Sequence, residues 1–121
     1  SSPSVLQKAL ASYLQKNEWG EKYTQELYQN VKLSFNYLHQ ALTEMGFYIP
    51  QTDGGYFIWG RLPEPNTDGF QVAMHLYHTR KVATIPGIHF SQNYPDFLRF
   101  NVARPLKEIS EAVTKMKEFF R

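Results

Sequence analysis

The feature that most constrains this chain is a run of apolar residues at helical spacing in its first half. These residues recur in steps of three and four, which draws one stripe along a helix: Leu27, Val31, Phe35, Leu38, Leu42 and Met45. The stripe predicts a helix from about Glu21 to Met45, with Gly46 as a left-handed stop. Such a helix is about 37 Å long, whereas a domain of this size has a radius of gyration of about 14 Å. The helix length therefore indicates that the chain belongs to something larger.

The rest of the chain alternates between short strands and helices. Strands are predicted at four apolar runs rich in aromatic and β-branched residues: 47–49, 56–62, 82–85 and 97–102. Helices are predicted at three segments with apolar residues at helical spacing: one from Ser2 or Ser4 to Leu14, one after the cap Asp68, and one after Pro105.

This order predicts an α+β fold, in which helices cover one face of a small sheet and a long connecting helix precedes it. We expect a single domain over residues 1–121. Within it we expect a helical connector over 1–45 and an α/β sandwich core over 46–121.

Composition excludes several classes of protein. The chain has no cysteine, which excludes disulfide scaffolds, thiolate nucleophiles and cysteine-ligated zinc. Lys and Arg number 13 and Asp and Glu 11, and a net charge of +2 is too small for a general nucleic-acid or membrane-surface field. No apolar run approaches the roughly 20 residues that span a bilayer, and no signal peptide is visible at the first residues. We therefore expect a cytoplasmic protein that binds neither nucleic acid nor membrane.

Arg99 is the first candidate for a functional residue. It lies between Leu98 and Phe100 in a predicted strand, and alternation along the strand places it on one face with Phe97 and Asn101. A charge inside an apolar strand is costly unless it is paired or reaches a site. The planar guanidinium group suits a two-pronged contact with a carboxylate. On spacing alone, a structural ion pair at the rim of the sheet is favoured over a binding site as the explanation of Arg99.

For the other candidates, a purely structural role is favoured over a functional one. His75 and His78 share a predicted helix face, but no further metal ligand has a motif spacing, which favours surface histidines. Tyr56, Phe57 and Trp59 could stack on bases, but they lack interleaved basic residues, which favours core packing. The glycine-rich phosphate motifs and the GxSxG nucleophile motif are absent from the sequence.

Four segments together resemble the C-terminal part of fold-type I pyridoxal-phosphate enzymes, the class I/II aminotransferases. They occur in the family's order and with plausible spacing: Gly54-Gly55-Tyr56-Phe57-Ile58-Trp59 with Leu62-Pro63, Val82-Ala83-Thr84-Ile85-Pro86-Gly87-Ile88-His89-Phe90, Phe97-Leu98-Arg99-Phe100-Asn101-Val102-Ala103, and the helix from Leu106. The resemblance extends over essentially the whole chain. Each segment alone is weakly specific for the family, but the ordered set of four is fairly specific.

The resemblance implies a role for each part. Arg99 would bind the α-carboxylate of an amino-acid substrate, and Tyr56 and Phe57 would line the pocket. The full-length protein would use pyridoxal phosphate, act on amino acids and keto acids, and form a homodimer. The lysine that binds the cofactor would lie upstream in a missing large domain, because no lysine of this chain has a matching context. The chain alone would then bind no cofactor and have no transaminase activity.

Other functions remain open on the sequence. The chain could be the aminotransferase-like, ligand-sensing end of a GntR-type transcription regulator. It could also come from a pyridoxal-phosphate-dependent C–S lyase, because Arg99 to Pro105 resembles the cystathionine β-lyase branch. Phe90-Ser91 stands where many relatives have Phe-Gly, which leaves the subfamily open. A third reading is a free-standing interaction module that uses the long amphipathic helix.

Overall fold

The computed structural model describes residues 18–50 and 55–121. Its elements follow one another as α1 (Glu18–Glu44), β1 (Phe57–Arg61), α2 (Gly69–Arg80), β2 (Ile85–Pro86), a short 3₁₀ turn (Gly87–His89), β3 (Phe97–Asn101) and α3 (Leu106–Phe119). The helix predicted between Ser2 and Leu14 lies outside the described residues.

The three strands form one antiparallel sheet in the order β1-β3-β2. β3 lies in the middle, so Arg99 faces Trp59 on one side and Ile85 on the other. Residues 58, 98 and 100 are buried on the side of the helices. The predicted α+β fold, a small sheet covered on one face by helices, is therefore confirmed.

The long helix is anchored at its C-terminal end. α1 has 27 residues, and its apolar stripe becomes more buried along its length, from half-buried Leu27 to fully buried Leu42. Ser34 is fully buried, and its hydroxyl donates to the carbonyl oxygen of Arg104 at 2.9 Å. This hydrogen bond fixes α1 to the turn that precedes α3, because a buried hydroxyl without a partner would be costly.

One hydrophobic cluster joins all three helices to the sheet. Its buried members are Leu38, Ala41, Leu42, Phe47, Ile58, Leu62, Ala73, Leu76, Val82, Leu98, Phe100, Val102, Ile109, Val113 and Met116. The last turns of α1 thus share a core with the segments that follow residue 46. The division of the chain into a connector and a sandwich core stays a prediction.

A side-chain cap begins α2, and a residue in the left-handed backbone region ends it. The carboxylate of Asp68 accepts hydrogen bonds from the amides of Phe70 at 2.9 Å and Gln71 at 3.3 Å, as an N-cap does. Lys81 ends the helix in the left-handed region, with φ of 59°. The predicted cap at Asp68 is therefore present in the structure.

Two predicted strands are shorter than expected. The run at 47–49 reduces to a single bridge, in which Tyr48 and Arg61 exchange backbone hydrogen bonds of 3.1 and 2.8 Å. The run at 82–85 pairs with β3 only at Ile85 and Pro86. Pro86 has no amide hydrogen to donate, so it ends the ladder. Val82 is buried in the core instead of pairing.

Across the described ranges, no helix is both long enough and apolar enough to cross a membrane.

Candidate functional site

The sheet has an open face on the side away from the helices. Strand alternation places seven residues on this open face: Phe57, Trp59, Arg61, Ile85, Phe97, Arg99 and Asn101. On β1 and β3, Phe57, Trp59, Phe97 and Arg99 are partly buried, and Arg61 and Asn101 at the strand ends are exposed. The alternate positions of these two strands are buried in the core. Two of the seven are charged: Arg99 is partly buried, whereas Arg61 is exposed, with its guanidinium carbon 4.8 Å from the ring centroid of Tyr48.

Two aromatic rings contact the guanidinium group of Arg99. Its central carbon lies 4.0 Å from the ring centroid of Phe57 and 4.4 Å from that of Phe90. Both distances are well within the range of a cation–π contact. Phe57 comes from β1, and Phe90 follows the 3₁₀ turn, so the sheet and a loop each contribute one ring.

Within the described residues, the side chain of Arg99 has no carboxylate partner and makes no hydrogen bond. Its Nε is buried without a partner. Two other arginines have carboxylate partners: Arg80 lies 3.1 Å from Glu118, and Arg104 lies 2.7 Å from Glu108. Among the three nitrogens of the Arg99 guanidinium group, Nε alone is both buried and unpartnered. The two terminal nitrogens are therefore open to a ligand.

Burial lowers the pKa of the Arg99 guanidinium from its usual value, because the apolar surroundings disfavour the charged form. An arginine nevertheless stays protonated at physiological pH. The charge of Arg99 is therefore permanent and only partly hydrated, which favours a hydrogen-bonded anion.

A close backbone approach sets the position of Phe90. Gly87 is buried at the start of the 3₁₀ turn, and a Cβ there would lie 2.6 Å from the carbonyl oxygen of Tyr94. The amide of Phe90 donates to the Gly87 carbonyl oxygen at 2.9 Å. The ring of Phe90 meets Trp59 edge to face, with centroids 5.1 Å apart. Gly87 thus lets the loop pack tightly enough to place Phe90 over the open face.

The structure brings together only part of the predicted site. Phe57 contacts Arg99, whereas Tyr56 contributes its backbone carbonyl oxygen, which accepts a hydrogen bond from the Val102 amide at 2.8 Å. The contact between Phe90 and Arg99 was not predicted, because strand spacing gives no information about a ring delivered by a loop. The roles of these residues toward a substrate stay predictions.

The histidine pair does not form a metal site. His75 and His78 are exposed on α2, and the His75 ring packs edge to face against Phe119 at 5.6 Å. Within residues 18–50 and 55–121, there is no group of three or more His, Cys, Asp or Glu side chains that could hold a metal ion.

The open face can hold an anion but does not fit covalent attachment of pyridoxal phosphate. Arg99 offers hydrogen-bond donors to a carboxylate, and none of the other six residues of the open face is a lysine. What the described site can do chemically is bind and orient an acid group.

Comparison with known proteins agrees with the fold. A family model described as "Aminotransferase class I and II" matches residues 1–116. The probable aspartate aminotransferase of Methanocaldococcus jannaschii is 27% identical over 83% of this chain and 26% of its own length. An uncharacterised HTH-type transcriptional regulator of Escherichia coli, YdcR, is 32% identical over 95% of this chain and 25% of its own length.

Solved structures show the same fold. The crystal structure of an aminotransferase from Mycobacterium tuberculosis superposes with a TM-score of 0.80 at 20% identity, over 86% of this chain and 27% of that one. The chain thus spans about a quarter of the length of the relatives it matches. Because the family model covers nearly every residue, the chain belongs to the class I and II aminotransferase family.

Proposed function

We propose that this chain is the C-terminal small domain of a cytoplasmic, pyridoxal-phosphate-dependent aminotransferase, and that Arg99 binds the α-carboxylate of its amino-acid substrate. The observation that carries the proposal is the state of Arg99. Its guanidinium group is partly buried, contacts two rings, and has no carboxylate partner within the described residues. A structural ion pair, the alternative left open by the sequence, would require such a partner.

The geometry suits recognition of an acid group. The rings of Phe57 and Phe90 restrict the guanidinium group, so little side-chain entropy remains to be lost when a ligand binds. Hydrogen bonds to a charged group contribute about 1.5–3 kcal/mol. A two-pronged contact also orients the substrate, which fixes the α-carbon relative to the rest of the active site.

The remaining parts of the enzyme are proposed to lie elsewhere in the full-length polypeptide. When bound, pyridoxal phosphate supplies an electron sink for chemistry at the α-carbon. In this proposal the lysine that holds the cofactor lies in the large domain, and the full-length polypeptide forms a homodimer that acts on amino acids and keto acids. The isolated chain would accordingly bind no cofactor and show no transamination.

The proposal is tested in the full-length polypeptide by steady-state kinetics. Arg99→Ala is expected to raise the KM for the amino acid about 10- to 100-fold, because about 1.5–3 kcal/mol is lost. Arg99→Lys should also raise the KM, since an ammonium group cannot reproduce the planar fork.

Arg104→Ala is the matched control. Arg104 is five positions further along, exposed and paired with Glu108, so its loss should leave the KM unchanged. An unchanged KM in Arg99→Ala would remove the proposed role of Arg99.

A second candidate function rests on the relative YdcR, named as a transcriptional regulator. In that case Arg99 would bind a ligand that is sensed and not turned over. The full-length polypeptide would then bind DNA, and Arg99→Ala would weaken the effect of the ligand on DNA binding without any turnover to measure.

A further inference from the structure

Two aromatic rings lie close to the guanidinium group of Arg99. Their centroids lie 4.0 Å (Phe57) and 4.4 Å (Phe90) from the central carbon. An aromatic ring is about as wide as a guanidinium group, so two rings cannot both stand this close to one face without overlapping. The guanidinium group therefore lies between Phe57 and Phe90.

A ligand can then reach Arg99 only at the edge of its guanidinium plane. The faces are covered by rings and Nε is buried, which leaves the edge that carries the terminal nitrogens. A carboxylate is planar and can lie in the guanidinium plane with two parallel hydrogen bonds. A phosphonate or sulfonate is tetrahedral, so at least one oxygen would project out of that plane toward a ring.

We propose that Phe57 and Phe90 form an aromatic clamp that makes Arg99 select a planar carboxylate over a tetrahedral anion, with Phe90 as the positioning residue. This inference rests on the proposed function, because it assumes that an acid group binds at Arg99. It goes further by assigning a specificity role to Phe90.

The setting of Phe90 separates this role from core packing. Its side chain is 48% exposed, and its described ring contacts are with Arg99 and Trp59. A ring that is half-exposed contributes little to the hydrophobic core. Removing the Phe90 ring should therefore change the freedom of the guanidinium group more than it changes the stability of the fold.

Tyr94 provides a matched control in the same region. It is also exposed, at 44%, and its ring packs near Trp59 and Phe97. Within the described contacts it does not lie over Arg99. Tyr94→Leu thus removes an aromatic ring of similar exposure without uncovering the guanidinium group.

The test uses the full-length holoenzyme, with propionate and ethylphosphonate as competitive inhibitors at a pH where both are monoanions. In Phe90→Leu, the preference for propionate over ethylphosphonate is expected to fall about threefold to tenfold. The KM for the amino acid should rise by a similar factor, with kcat within about twofold of the wild type. Phe90→Tyr keeps a ring and should restore the preference for propionate.

Two results would overturn the aromatic clamp. One is an unchanged inhibitor preference in Phe90→Leu, and the other is an equal fall in Tyr94→Leu. Arg99→Lys separates this failure from failure of the proposed function: if Arg99→Lys weakens propionate binding but Phe90→Leu does not alter the preference, only the clamp is wrong. If Phe90→Leu does not fold, Phe90→Met supplies a ringless side chain of similar volume for the same comparison.

Discussion

Gly87→Ala tests how the loop reaches the open face. A Cβ at this position would lie 2.6 Å from the Tyr94 carbonyl oxygen and 2.9 Å from the Cβ atoms of Tyr94 and Phe97. These atoms belong to the backbone or to the base of a side chain, so they move only if the loop moves. Overpacking of this kind costs about 1–3 kcal/mol. Alanine also restricts the unfolded chain, which offsets about 0.4–1 kcal/mol.

The net expectation is a loss of roughly 1–2 kcal/mol in the free energy of unfolding, measured by urea denaturation. The shifted loop should also move the Phe90 ring away from Arg99 and raise the KM for the amino acid in the full-length polypeptide. His89→Ala is the control, because this exposed side chain of the same turn should alter stability by less than about 0.5 kcal/mol. Wild-type stability in Gly87→Ala would show that the close approach at Gly87 does not hold the loop.

Three further predictions concern the fold around the site. Leu42→Ala removes a fully buried side chain of α1 and should lower the free energy of unfolding by about 2–5 kcal/mol in urea denaturation. Asp68→Ala removes the cap of α2 and should cost about 1 kcal/mol in the same assay. The hydrogen bond from Arg104 holds the pKa of Glu108 below its usual value, so the small stabilisation from this pair is present at neutral pH and is lost as the pH falls through that lowered pKa. Arg104→Ala should raise the pKa of the Glu108 carboxyl group in an NMR titration, and an unchanged pKa would contradict the pairing.

The helices were predictable because their signals are local. The apolar stripe predicted a helix from about Glu21 to Met45, and the structure has it at Glu18–Glu44. Asp68 could be recognised as a cap because a short carboxylate side chain accepts hydrogen bonds from the amides that follow it. Each spacing of the stripe and each hydrogen bond of the cap joins residues no more than four positions apart.

The strands were predicted less well because pairing depends on a partner. The run at 82–85 has good strand propensity, yet only Ile85 and Pro86 pair with β3. Whether a strand forms depends on the position of its neighbour, and residue preferences do not contain that information. The same holds for the single bridge at Tyr48.

The site was partly predictable for the same reason. Arg99 stood out because a charge inside an apolar strand needs an explanation, and alternation along the strands accounts for its position on the open face. Phe90 belongs to one of the four segments that resemble the family. Its distance from Arg99, however, depends on how the nine-residue segment between Gly87 and β3 folds. No periodicity in the sequence could indicate that contact.

The most direct measurement of the role of Arg99 is a crystal structure of the full-length holoenzyme with a bound amino acid or a carboxylate inhibitor. We expect both carboxylate oxygens to lie about 2.7–2.9 Å from nitrogens of Arg99, in the plane of its guanidinium group. A carboxylate bound to a different cation, with Arg99 paired to a carboxylate of the protein, would contradict the proposed role.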